Sequence, residues 1–226
     1  MPSYKLGRRH APDARDAAYP FKLAQPPLPP RLPLFKFWQR GTPVLDQGQT
    51  PQCVAYAWKQ FLMSSPIRQG QKQDPAGIYA QAQQEDEWPG EDYDGTSVRA
   101  GAKVLQQRGF IANYLWASSI DEIRNWIITT SPVVLGTNWY SEMFNGYWGE
   151  DALDGFWVQP QGALVGGHAY LVLGFSFKRR AFRCLNSWGM NWGQRGKFWL
   201  AEEHLAELLS QNGEACTAIE ERLALP

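Results

Sequence analysis

The chain has 226 residues, 44% hydrophobic and 19% charged, a globular composition that excludes global disorder. That length fits one domain or two tightly packed lobes, and it buries enough surface to need no disulfide or metal staple. Lys plus Arg and Asp plus Glu are each 22, so the formal charge is zero and no nucleic-acid partner is expected, because counterion release requires a cationic surface. No apolar run approaches a membrane span, and MPSYKLGRRHAPDARD has no apolar signal core. The expectation is therefore no membrane partner and no export by an N-terminal signal. Cys53, Cys184 and Cys216 are too few for a disulfide framework, and no CxxC or HxxxH spacing suggests zinc. The cytoplasm or another reducing compartment is expected, with no metal and no cofactor.

In chain order, residues 1–40 read as an N-terminal arm. Positions 26–34, PPLPPRLPL, carry five prolines and cannot be helical. The apolar cluster Phe35, Phe37 and Trp38 favours docking of at least the second half of the arm. Residues 41–130 read as a helical lobe. After the turn-rich PVLDQGQTPQC, Val54, Ala57, Trp58, Phe61 and Leu62 recur at the spacing of one buried helical face, bounded by Pro66, with Cys53 at the helix start. Residues 74–94 have six acidic side chains from Glu85 onward and no Lys or Arg, and read as a solvated acidic loop. Helices are expected over 96–107, stopped by Gly109, and over 120–128, ended before Pro132. Residues 131–226 read as a strand-rich lobe, with strands at 133–135, 169–173, 181–185, 197–200 and 216–219 and a short helix at 202–209. Segregated helices and strands argue for an α+β fold of two lobes.

A thiol attacks as thiolate, a form favoured by a helix N-terminus and a nearby imidazolium. Only Cys53 stands at an expected helix start. Cys184 and Cys216 lie in or near apolar strands and read as small core residues. Of three histidines, His10 is in the arm and His204 on a surface helix. His168 follows Gly166 and Gly167 and opens a strand, a rigid mount for a base. Asn186, at the end of the strand FRCL, is placed to orient an imidazole, and the indoles of Trp188 and Trp192 would keep water off that contact. Gln47 and the Cys53 backbone N–H are candidate donors to an oxyanion.

These residues in this order resemble the papain-like cysteine peptidases. The matching motifs are Asp46-Gln47-Gly48 before Cys53, Gly167-His168-Ala169, and Asn186-Ser187-Trp188-Gly189 followed by Trp192-Gly193. The arm segment APDARDAAY resembles the start of bacterial and phage-type members. The resemblance implies a mainly helical lobe and a β-barrel-like antiparallel lobe with the active-site cleft between them. It also implies Gly95 and Thr96 as cleft lining opposite the histidine, and Gly167 and Trp188 as further substrate contacts. The family's Cys-Gly-Ser-Cys-Trp loop is here Thr50-Pro51-Gln52-Cys53-Val54, which removes a common disulfide, and the usual Asp before the histidine is Gly167. Counting five residues on from Cys216, as the family does for the floor of the second specificity pocket, gives Glu221. A carboxylate there would favour Arg or Lys, and the acidic residues 85–94 would add to the same field.

The implied activity is a cysteine-type endopeptidase acting on a polypeptide substrate, with Cys53, His168, Asn186 and Gln47 as its site. Two alternatives share those residues: a cell-wall peptide amidase or transferase, and a non-catalytic papain-like component of a larger assembly. The arm is much shorter than the family's inhibitory propeptides and is expected to dock without occluding the cleft.

Overall fold

The computed structural model describes residues 4–69, 73–150 and 155–219, and Glu221 lies outside them. The first helix, α1 (Cys53–Met63), buries Val54, Ala57, Trp58, Phe61 and Leu62 completely, the face its spacing predicts. Next comes a helix where a loop was expected: α2 (Pro75–Glu85) starts on Asp74, whose carboxylate accepts from the Ala76 and Gly77 amides, with Pro75 at the first helical position. That pairing is a helix-start signal, masked by the acidic run that begins only at the helix end. Helix α3 (Val98–Gln107) is capped by Ser97 and ends at Gly109 with φ +74°. Helix α4 (Ile120–Thr129) is capped by Ser119.

The strands are β1 (Phe35–Phe37), β2 (Asn113–Trp116), β3 (Val133–Tyr140), β4 (Tyr147–Trp148), β5 (Phe156–Val158), β6 (Leu164–Ser176), β7 (Ala181–Leu185), β8 (Lys197–Ala201) and β9 (Glu214–Ile219), with α5 (Glu202–Ser210) between the last two. They form one sheet in the order β2-β9-β3-β6-β7-β8-β5-β4, with β1 also on β6. The sheet stays open, and β5 runs parallel to β8 while every other pair is antiparallel. Strands β1, β2, β4 and β5 were not expected. Each is two to four residues long, too short for an alternation to register in sequence.

The long strand β6 divides the interior. Its alternation sends Ala169, Leu171 and Leu173 into one apolar cluster with α1, and Tyr170 and Val172 into a second with α4 and α5, which Phe175 joins beyond a register shift between Val172 and Gly174. The arm enters this architecture along its length. Phe21 is fully buried in the second cluster, its ring 5.0 Å from that of Trp126, and β1 pairs with the far end of β6. Residues 26–32 between them are exposed and irregular, as their prolines require. The segment from Phe21 to Phe37 is therefore a strap built into the sheet lobe. Truncating Phe21→Ala should cost about 3–5 kcal/mol, read from the urea midpoint at constant slope. A loss under about 1 kcal/mol would show the strap to be peripheral.

Candidate active site

Cys53 is the first residue of α1, and Gln52 ahead of it makes no side-chain cap, so the helix-start amides face the sulfur side unshielded. The backbone amides of Ala169, Gly7 and Val54 lie around that sulfur and act to lower its pKa. Ala169 is the residue after His168, so α1 and β6 meet at this point. The His168 ring is buried against Trp188, 4.7 Å away and near-parallel, and edge-on to Trp139 at 4.7 Å. Its Nε2 lies 2.8 Å from Asn186 Oδ1, which also accepts the Ser187 amide at 2.8 Å. An oxygen that accepts from Ser187 must accept from the imidazole too. Nε2 therefore carries the proton and Nδ1 keeps its lone pair. Nδ1 is buried with no hydrogen-bond partner.

Gln47 is held by four hydrogen bonds to Ser187, Thr50 and Lys5. Its backbone amide donates to the Ser187 carbonyl at 2.8 Å, and its Oε1 accepts the Ser187 hydroxyl at 2.5 Å. Its Nε2 donates to Thr50 O at 2.7 Å and to Lys5 O at 2.9 Å. The structure thus brings Gln47, Cys53, His168, Asn186 and Trp188 together. The other two cysteines are buried strand residues whose thiols burial pushes up, in keeping with a core role. Among the described residues no cluster of His, Cys, Asp and Glu could hold a metal ion, and no helix is long and apolar enough to cross a membrane.

The N-terminal segment overturns the expectation of an open cleft, because residues 4–10 fill it. Tyr4 stacks on Trp188 at 4.4 Å with planes 7° apart, and Lys5 pairs with Asp94 at 2.6 Å. The Gly7 carbonyl accepts the Thr96 amide, the Arg9 amide donates to the Thr96 carbonyl, and the Arg8 amide donates to the Gly167 carbonyl, all at 2.9–3.0 Å. Thr96 and Gly167 thus grip this segment from opposite walls. Gly7 is required by space: a Cβ there would lie 1.9 Å from the Pro51 carbonyl oxygen. Gly95 faces it with φ +90°, and a Cβ on Gly95 would lie 2.3 Å from Gly7 O. The plug was not legible because SYKLGRR is polar, and its hold comes from backbone bonds and close glycine contacts that carry no hydrophobic pattern.

The plug sets the electrostatics. With Gly7 above it Cys53 is fully buried, and burial pushes its thiol up to about 11 although three amides pull it down. Burial pushes His168 down to about 4, against the Asn186 hydrogen bond. The closed site therefore holds a neutral thiol and a neutral imidazole at pH 7.

The plug also makes a buried ion pair that was not expected. The Arg8 guanidinium reaches Glu214 Oε1 at 2.9 Å, with side chains only 2% and 9% exposed. Glu214 lies two residues before Cys216, on the same face of β9. The readable signal is a carboxylate in line with Cys216 and Ala218 on a face otherwise turned to the helical lobe. Beyond Tyr4 the cleft continues as an open cavity of about 650 Å³ lined by Phe144, Trp148, Phe156 and Trp192.

No family model and no curated protein sequence matches the chain. Among solved structures it is similar to xylellain, a cysteine protease from Xylella fastidiosa, with 22% identity, TM-score 0.73, and coverage of 97% of this chain and 98% of that one. It is also similar to digestive procathepsin L 3 of Tenebrio molitor larval midgut, with 13% identity, TM-score 0.64, and coverage of 96% and 76%. At such identities the likeness is one of architecture. The chain has the two-lobed α+β fold of the papain-like cysteine peptidases.

Proposed function

We propose that the chain is a cysteine-type endopeptidase whose Cys53 attacks the carbonyl of a polypeptide substrate. The observation that carries this reading is the junction of α1 with β6. The Ala169 amide sits on the Cys53 sulfur, while the adjacent His168 has its proton fixed on Nε2 by Asn186 and an unsatisfied lone pair on Nδ1. Such an imidazole accepts a thiol proton. In an open cleft water returns to both groups, relieving the burial that now keeps them neutral, and the thiolate–imidazolium pair becomes accessible.

Attack then generates an oxyanion within reach of Gln47 Nε2 and the Cys53 backbone N–H. In the closed state Lys5 O occupies the Gln47 donor. The imidazolium protonates the leaving amine, and the neutral ring next activates water to release the acyl group. Asn186 keeps the ring oriented through both steps, and Trp188 shields that contact.

The plug resists cleavage for two reasons. Above Cys53 it offers the Gly7 N–H rather than a carbonyl carbon. It also runs in the wrong direction. A leaving amine must reach His168, so the C-terminal half of a substrate lies on the Trp188 side, where the plug places its N-terminal Tyr4.

The sealed sulfur is also what a non-catalytic module would show, and one substitution separates the two. Gly7→Ala forces a methyl into the Pro51 carbonyl and leaves the walls intact. Iodoacetamide labelling of Cys53 at pH 7, followed by peptide mapping, should be slow in the native chain and about tenfold or more faster in this variant. The same variant should hydrolyse unfolded protein. A labelled but inactive Gly7→Ala chain would reject the endopeptidase reading.

Within that opened background, Cys53→Ala and His168→Ala should abolish turnover. Gln47→Ala should lower kcat by about a hundred- to thousandfold with little change in KM. A Gln47→Ala enzyme that keeps its kcat would remove that side chain from the oxyanion site.

A further inference from the structure

We propose that Arg40, Arg183, Arg195 and Lys197 form a binding site for a tetrahedral dianion, a phosphate or sulfate group, on the face of the β7–β8 pair turned away from α4 and α5. The site is separate from the cleft and does not depend on any reaction at Cys53.

The sequence already separates charge here. From residue 155 to 201 the chain has six Lys or Arg and no Asp or Glu, although its net charge is zero. Arg180 finds a carboxylate at 2.9 Å in Glu202, just past the end of that stretch. Arg183, Arg195 and Lys197 find none among the described residues, and neither does Arg40.

The sheet gathers these cations. Phe182, Cys184, Phe198 and Leu200 face the second apolar cluster, so the alternate residues Arg183, Lys197 and Trp199 lie on the other side. Arg183 stands opposite Trp199, which makes Lys197 its diagonal neighbour, about 7–8 Å away along the ladder and within reach of long side chains. Arg195 sits in the turn that Gln194 and Lys197 close with backbone bonds of 2.8 and 3.2 Å. Its φ is +56°, so a long cationic side chain stands where glycine is favoured. Arg40 arrives from the segment after β1. Its guanidinium donates to the Gly41 carbonyl at 2.7 Å and lies 4.0 Å from Met190 Sδ. The charges feel one another: burial, then Arg183, Arg40 and Arg195, push the Lys197 ammonium down, and burial with Arg195 does the same to Arg40.

Arg183 is the centre of the group. Its side chain is only 9% exposed, with the guanidinium 4.9 Å from the Trp199 ring centre. Nη2 donates to Gln194 Oε1, whereas Nη1 is buried with no hydrogen-bond partner. A buried donor left unpaired costs free energy, and so does a cluster of like charges. One dianion offsets both costs. Planar guanidinium forks match the oxygens of a tetrahedral oxyanion, while a chloride ion offers one charge and no pair of acceptors. Arg195 is exposed and Lys197 half-buried, which leaves the cluster open to solvent on that side.

The test is calorimetric titration of the full chain with sodium phosphate, sodium sulfate and acetyl-phosphoserine amide, at about pH 7.5 and ionic strength held constant with sodium chloride. Saturable binding of one dianion per chain is expected. Lys197→Gln and Arg40→Gln should each weaken it about tenfold, and Arg183→Gln by more. Arg31→Gln, which removes an exposed cation outside the cluster, should leave it unchanged. Tighter binding of inorganic phosphate than of the phosphoserine amide assigns the site to a free ion, and the reverse order to a phosphoryl ester. If Arg183→Gln fails to fold, the chain carrying both Lys197→Gln and Arg40→Gln decides, since neither side chain is packed in a core. Absence of saturable binding in the native chain, or equal affinity in the native chain and that double variant, would overturn the proposal.

Discussion

The electrostatics of the closed site depend on the burial of the Cys53 sulfur beneath the N-terminal segment, with the Gly7 amide beside it. That segment excludes water from the helix N-terminus, and that exclusion keeps both the thiol and the imidazole neutral. The helix start and the donor amides that would stabilise a thiolate are already in position. What is missing is solvent and a free face on the sulfur. Burial thus disfavours the charged forms of both groups in the closed state.

The contacts that hold the plug fix its register more than its affinity. A buried ion pair such as Arg8 with Glu214 gains little net free energy, because two desolvation costs oppose one attraction, but it rejects a shift that would leave either charge alone. Tyr4 on Trp188 and Arg9 on the Trp88–Tyr93 pair fix the two ends. Asp13 and Asp16, just beyond the plug, both pair with the buried Arg99 of α3. With Phe21 and β1 bound into the sheet lobe, an unseated plug stays tethered within a few residues of its cleft. The opening that the proposed function requires is therefore an intramolecular step, opposed by a high effective concentration of the plug. The arm combines a segment seated in the cleft with one paired into the sheet.

Cys53, His168, Asn186 and Gln47 could be singled out in the sequence, and are brought together in the structure, because each sits at an element boundary marked by glycine, proline or a change of hydrophobic period. Those boundaries survive in a single sequence. The pairing of Glu214 with Arg8 was not legible, because the two lie 206 positions apart in the chain. Glu214 shares its side of β9 with Cys216 and Ala218, a placement that shows only once the strand face is known. Helix α2 was lost for a different reason: a run of charge outweighed the stronger local signal of Asp74 and Pro75. The plug was invisible because backbone hydrogen bonds and absent Cβ atoms leave no pattern of residue types.

The sheet explains why Cys53, His168 and Glu214 hold a common geometry although they come from distant parts of the chain. On β6, His168 and Ala169 point to opposite faces, so one strand supplies the imidazole from the sheet lobe and an amide to the sulfur of the helical lobe. A one-residue slip of β6 against β3 would exchange those faces, taking the imidazole away from Asn186 and Trp188 and the amide away from the sulfur. The same register aligns Ala169, Gly136 and Glu214 across three strands. The apolar alternation of β6, with Leu171 and Leu173 on one side and Tyr170 and Val172 on the other, makes such a slip prohibitive, because it would turn every one of those side chains into the wrong core. The hydrophobic pattern of one strand thus fixes the alignment of the polar groups at its end, and neither could be changed without the other.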